Sequence, residues 1–148
     1  MALKLLTDDE LHRVAATIGE VEKTTSGEIR VNIHARRSWR ERGLPIHEIA
    51  LRHFYAMGMQ ATKNKTGVLI FLCVRDRAFH IVADEGIHKR IPQEYWDTVA
   101  QSMARHFTSQ KFCDGICYAV REIGISLARE FPITEGDKNE LSNDVLFS

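Results

Sequence analysis

Apolar and polar positions follow two rhythms along this chain, and each change of rhythm marks an element. Leu11, Val14, Ala15, Ile18 and Val21 recur at helical spacing and predict a helix over residues 8–23. Thr7 followed by Glu10 forms a capping box at its start, with Leu6 and Leu11 at the staple positions. Thr24-Thr25-Ser26-Gly27 ends it. The period then becomes two. Ile29, Val31 and Ile33 point one way, while Glu28, Arg30, Asn32 and His34 point the other. This predicts a strand over 28–35 with one solvated or lightly covered face. A charged loop, Arg36 to Gly43, follows. Pro45 opens a second helix carrying Ile46, Ile49, Ala50, His53, Phe54 and Met57 at helical spacing.

Val68 to Val74 has no polar alternation and reads as a strand covered on both faces. The link Arg75-Asp76-Arg77 is too short for a parallel crossover, so Ala78 to Ala83 returns antiparallel. The strand at 28–35 and the one at 68–74 are separated by a whole helix, which suits a right-handed parallel crossover. Pro92 opens a third helix through Trp96, Val99, Ala100, Met103 and Phe107, and a fourth runs from about Phe112 to Glu130. The order α-β-α-β-β-α-α predicts an α/β fold: a layered α/β/α domain around a small mixed sheet. One domain spans 1–133, and residues 134–148 form a polar tail, docked in part or flexible, in which Leu141, Val145, Leu146 and Phe147 are the apolar positions.

Composition narrows the function classes. A chain of 148 residues is long enough to bury roughly 68–70% of its unfolded surface. Lys+Arg and Asp+Glu both number 20, and this balance argues against a dedicated nucleic-acid binder. The longest apolar run, Val68 to Val74, is far short of the ~20 residues a membrane span needs. The N-terminus carries no apolar core of signal-peptide length. Cys73, Cys113 and Cys117 are an odd set in apolar surroundings and read as buried free thiols. These features predict a cytoplasmic protein with no membrane span, no nucleic-acid partner and an unidentified protein partner.

Several residues carry candidate chemistry. Asp84 and Glu85 stand where a strand ends, beside Gly86, and offer oxygen ligands to a hard cation. Glu28, at the start of the first strand, is a third candidate metal ligand. The competing reading is that these are solvated turn acids. Asp76 between Arg75 and Arg77 is either good turn chemistry or a positioned nucleophile. His34 and His80 share a strand parity and offer a pair for a transition metal or for proton transfer. His53, on an apolar helix stripe, reads as a satisfied core histidine, and His12, His47, His88 and His106 have no evident partners. Cys113 and Cys117 lie one helical turn apart and read as core. Arg36, Arg37, Arg40 and Arg42 around Trp39 form a weak anion or base-stacking candidate, or else a solvated loop with Trp39 folded on the sheet.

Several of these pieces in order, TSGEIRVNI, the helix ending in Met57-Gly58, KTGVLIFLCVRDRAFHIVADEGI and HFTSQKFCDGICYAVREIG, resemble the TPM domain family. That is the domain of thylakoid-lumen acid phosphatase and photosystem II repair proteins, and the resemblance covers about residues 5–131. It implies calcium binding and, for some members, acid phosphatase activity. The chain departs from the family pattern at Lys65 and Thr66, where an acidic residue and Asn are common. It also departs at Asp84-Glu85-Gly86, in place of Gly-x-Gly, and near Gln93, where an Asp is common. The expected function is a binding or regulatory module with a divalent cation (calcium) site. The alternative is a metal-assisted acid phosphatase acting on small phosphate esters.

Overall fold

A run of apolar residues is fully buried only in the middle of a covered sheet, and β2 (Gly67–Cys73) is buried at every residue. In this computed structural model, which describes residues 5–133 and 143–148, β2 lies between β1 (Glu28–His34) and β3 (Ala78–Ala83). β1 pairs with it in parallel, Glu28 opposite Gly67 through His34 opposite Cys73. β3 pairs antiparallel, Val68 opposite Ala83 through Cys73 opposite Ala78. The strand order is β3-β2-β1-β4, and β4 is the two-residue strand Leu146–Phe147, parallel to β1. The expected mixed sheet, parallel crossover and antiparallel return are therefore present. β4 adds a strand that the sequence pattern did not predict. Residues 134–142, part of the expected tail, lie outside the described residues.

Helices cover both faces. α1 (Asp8–Glu22) is held by the expected capping box: the Glu10 N–H donates to Thr7 Oγ1 at 3.1 Å and the Thr7 N–H to Glu10 Oε1 at 2.9 Å. α2 (Ile46–Ala56) carries the crossover from β1 to β2. Then follow α3 (Glu85–His88), α4 (Gln93–Thr108) and α5 (Phe112–Glu130). The main core sets Val14 and Ile18 of α1, Val99 and Met103 of α4 and Ile116, Val120 and Leu127 of α5 against Ile29, Val31, Ile70 and Leu72 of the sheet. α1 and α5 approach so closely at Gly124 that a Cβ there would stand 2.5 Å from Val21 Cγ1. The smaller core, on the opposite face, packs Ile49, Ala50 and Phe54 of α2 on Leu69, Phe71 and Val82. Among the described residues no helix is long and apolar enough to cross a membrane.

Two expectations change. The short α3 replaces the flexible corner read at Asp84-Glu85-Gly86, with Asp84 as its N-cap. The polar face of β1 is not solvated: all seven residues of the strand are buried. Arg30 is 1% and Asn32 1% exposed. Burial of such groups demands partners, and where those partners come from defines the site.

Candidate functional site

The first candidate lies at the end of β3. The Asp84 N–H donates to the Gly67 carbonyl at 2.9 Å, and Asp84 Oδ1 accepts from the Glu85 N–H at 2.8 Å. Asp84 Oδ2 is buried without a hydrogen-bond partner. Gly86 sits hard against the preceding loop: a Cβ there would stand 2.4 Å from the Asn64 carbonyl oxygen and 2.5 Å from that of Lys65. Only glycine fits, and its N–H donates to the Lys65 carbonyl at 3.0 Å. Glu85 is exposed. Gln93, one of the positions of departure, opens α4 and bonds Asp97 at 3.1 Å.

The third expected ligand, Glu28, is turned elsewhere. Its Oε2 accepts from Arg30 Nη2 at 2.7 Å, and Arg30 Nη1 donates to Glu22 Oε2 at 2.6 Å. Glu22 Oε2 also accepts from the Ile29 N–H at 2.8 Å, on the edge of β1 away from β2, where β4, among the described residues, does not reach. Burial pushes the Glu22 carboxyl up to about 7, against the pull of Arg30 and the Ile29 N–H, with Glu28 adding to the rise. Two buried carboxylates thus share one guanidinium.

At the other end of β1 lies a group that was not assembled from the sequence. His34 Nε2 bonds Glu41 Oε1 at 2.8 Å, and His53 Nε2 bonds Glu41 Oε2 at 2.8 Å. The two imidazole centroids are 4.5 Å apart, and both rings pack on Phe71. Three elements converge here: β1 ends at His34, the 3-10 turn Trp39–Glu41 presents Glu41, and α2 presents His53. Ser38 and Glu41 form a capping box, with the Ser38 N–H donating to Glu41 Oε1 at 2.8 Å. Burial pushes the Glu41 carboxyl up, but the Ser38 N–H and the two imidazoles outweigh it and hold the group at about 2. Behind His34, Nδ1 lies 2.9 Å from Ser148 Oγ, which accepts from Asn32 Nδ2 at 3.0 Å. Among the described residues His34, Glu41 and His53 are the trio of potential metal ligands whose donor atoms come together, all within 4.8 Å. Asp84, Glu85 and Glu28 are not brought together in this sense.

The remaining candidates fall into place around this. His34 and His80 do lie on one face of the sheet, but Asn32, Phe71 and His80 share a row, so His34 is offset from His80. His80 instead faces His47, ring centroids 6.0 Å apart, and burial with that neighbour holds its imidazole below the ordinary value. His53 is satisfied, as expected, and its partner is Glu41. Asp76 pairs with Arg37, which also donates to the Glu41 and Leu44 carbonyls. The arginine loop is thus clamped to the β2–β3 turn, while Trp39, expected on the sheet, is 80% exposed. Cys113 and Cys117 belong to the main core, and burial pushes the Cys113 thiol up to about 11. The S-x-x-E pattern at Ser38 and Glu41 was the available signal for the missed carboxylate; nothing in the spacing tied it to His34 or His53.

A family model for the TPM domain matches residues 2–125. The chain is similar to the BA42 protein of the psychrophilic bacterium Bizionia argentinensis, solved by NMR, at 30% identity and a TM-score of 0.88. That match covers 98% of this chain and 97% of that one. It shares its fold with the N-terminal domain of a P. gingivalis protein (TM-score 0.68, 18% identity, 86% and 79% covered). The same holds for the N-terminal domain of the cg2496 protein from Corynebacterium glutamicum (TM-score 0.62, 12% identity, 82% and 74% covered). No curated protein matches the chain.

Proposed function

The chain belongs to the TPM domain family, and on that premise we propose that it is a binding module that holds a divalent cation, calcium, at the Asp84 corner and acts through a protein partner. The observation that carries this reading is Asp84 Oδ2, buried without a hydrogen-bond partner at the N-cap of α3. A buried carboxylate oxygen without a donor is costly, and a hard cation with oxygen ligands removes that cost. Glu85, exposed at the start of α3, is the second carboxylate of this reading. Calcium takes six to eight oxygens, so water completes the shell and the affinity is modest. Glu28, held by Arg30, supports the sheet end and is not a ligand in this reading. The three free thiols, all buried, support a reducing, cytoplasmic setting.

The phosphatase alternative finds no support in a particular arrangement: the candidate nucleophile Asp76 is paired with Arg37. A calcium titration followed by amide chemical shifts tests the cation reading. Saturable shifts are expected at Asn64, Lys65 and Asp84 to Gly86, and they should vanish in Asp84→Asn. Titration without saturable shifts at these residues would end the proposal.

A further inference from the structure

We infer that His34, Glu41 and His53 form a second metal site, built for a borderline transition ion such as zinc and separate from the calcium corner. The donor set is two imidazole nitrogens and one carboxylate. That set suits zinc, whose catalytic-type sites use three protein ligands and leave a fourth position open for water or substrate. The calcium corner offers oxygen alone, so the two sites select different ions.

The geometry is close to what zinc requires. Bonds of ~2.0–2.1 Å at the tetrahedral angle place neighbouring ligand atoms about 3.3 Å apart. Here Glu41 lies 2.8 Å from each Nε2, and all three donor atoms lie within 4.8 Å. Admitting the ion asks the 2.8 Å pairs to open and any pair nearer 4.8 Å to close, through side chains that come from three separate elements. The carboxylate is held by the Ser38 N–H and the two imidazoles, so its bonds to the rings are the ones the ion replaces.

The surroundings match a metal site as well. A ligating histidine characteristically gives its other ring nitrogen to a fixed partner, and His34 Nδ1 meets Ser148 Oγ, itself held by Asn32. A hydroxyl both donates and accepts. Ser148 therefore satisfies the tautomer in which Nε2–H bonds Glu41 and equally the one in which Nε2 binds metal and Nδ1 carries the proton. Phe71 walls one side of the cluster, and the His53 side chain is 16% exposed, which leaves a route from solvent.

The test is a zinc titration of the full chain, with calcium in excess so that the state of the Asp84 corner does not affect the result. It is read by the ring nitrogen resonances of the histidines and by the visible bands of the cobalt-substituted protein. One equivalent should move Nε2 of His34 and His53, convert His34 to the Nδ1–H tautomer, and give the intense cobalt spectrum of a tetrahedral site. His53→Gln keeps a donor to Glu41 while removing a ligand, and should weaken zinc at least tenfold with the amide spectrum still dispersed. Glu41→Gln should do the same; if it fails to fold, the ring resonances of the unmodified protein and His53→Gln still decide. Zinc that leaves His34 and His53 unmoved, that perturbs only His47 and His80, or that binds His53→Gln undiminished overturns the inference.

Discussion

At its first residues β1 holds two carboxylates around one guanidinium, and at its last residue it holds two imidazoles around one carboxylate. Both clusters are buried, and burial alone raises a carboxyl pKa in each. The outcomes are opposite. Glu22 is pushed up to about 7, whereas Glu41 is held at about 2. The difference lies in the balance between burial and the donors each carboxylate collects. At Glu22 a second acid, Glu28, competes for the same arginine. At Glu41 one carboxylate receives a backbone N–H and two imidazoles. At Glu22 burial outweighs the bonds to Arg30 and the Ile29 N–H, and at Glu41 the bonds outweigh burial.

Removing the guanidinium should break the first cluster most severely. Arg30→Met removes the guanidinium that both buried acids bond and should cost about 3–5 kcal/mol in urea denaturation at neutral pH. Adding Glu22→Gln and Glu28→Gln to Arg30→Met should recover much of that loss. A triple variant no more stable than Arg30→Met would show that packing, not charge, dominates that end.

Acid should break the second cluster. The folded pKa of Glu41 lies below its ordinary 4.5, so its contribution is complete above about 4.5 and is lost as pH falls toward about 2. The full effect is about 3 kcal/mol. Denaturation curves of the unmodified protein should weaken across that window, and those of Glu41→Gln should be flatter there, from a lower starting stability.

Glu22 should show the reverse sign. Its folded pKa is raised from 4.5 to about 7, so the folded state retains a proton that the unfolded chain releases. Its contribution therefore declines as pH rises from about 4.5 through 7. Glu22→Gln should flatten that decline, from a lower starting stability because the amide gives up the charged bond to Arg30. A steeper decline in the variant would reverse the assignment.

The smallest effect belongs to Ser148. Ser148→Ala removes the hydroxyl that joins Asn32 to His34 and should cost about 0.5–1.5 kcal/mol. A shift in the His34 ring nitrogens should accompany it. An unchanged ring would place the hydroxyl outside the cluster.

Most of the sheet was legible because its signals are local. The unbroken run at 68–74 marked a covered strand, the three-residue link marked a hairpin, and an intervening helix marked a parallel crossover. Thr7 and Glu10 marked a cap. What failed was the meaning of the alternation in β1. Glu28, Arg30, Asn32 and His34 do share a side, but alternation cannot say whether water or protein meets it. The groups that satisfy this side, Glu22, Glu41 and Ser148, come from separate parts of the chain. α3 was read as a loose corner because glycine suggests flexibility; here Gly86 is required by the nearness of the Asn64 and Lys65 carbonyls. β4 is two residues long, too short to show any period. Asp84, Glu85 and Glu28 were read as ligands from their acids alone, while the His34–Glu41–His53 group needed the fold to bring it together.

The outer edge of β1 has a further consequence. An open strand edge is a ready template for another chain. Here β4 closes one half, with Ser148 N–H donating to the Ile33 carbonyl at 3.0 Å and the Ala35 N–H donating to that of Ser148 at 2.9 Å. A lone carboxylate, Glu22, caps the Ile29 N–H in the other half. Cutting the chain before residue 143 would therefore uncover backbone rather than merely shorten a tail. The shortened protein should self-associate through β1, visible as concentration-dependent broadening confined to that strand.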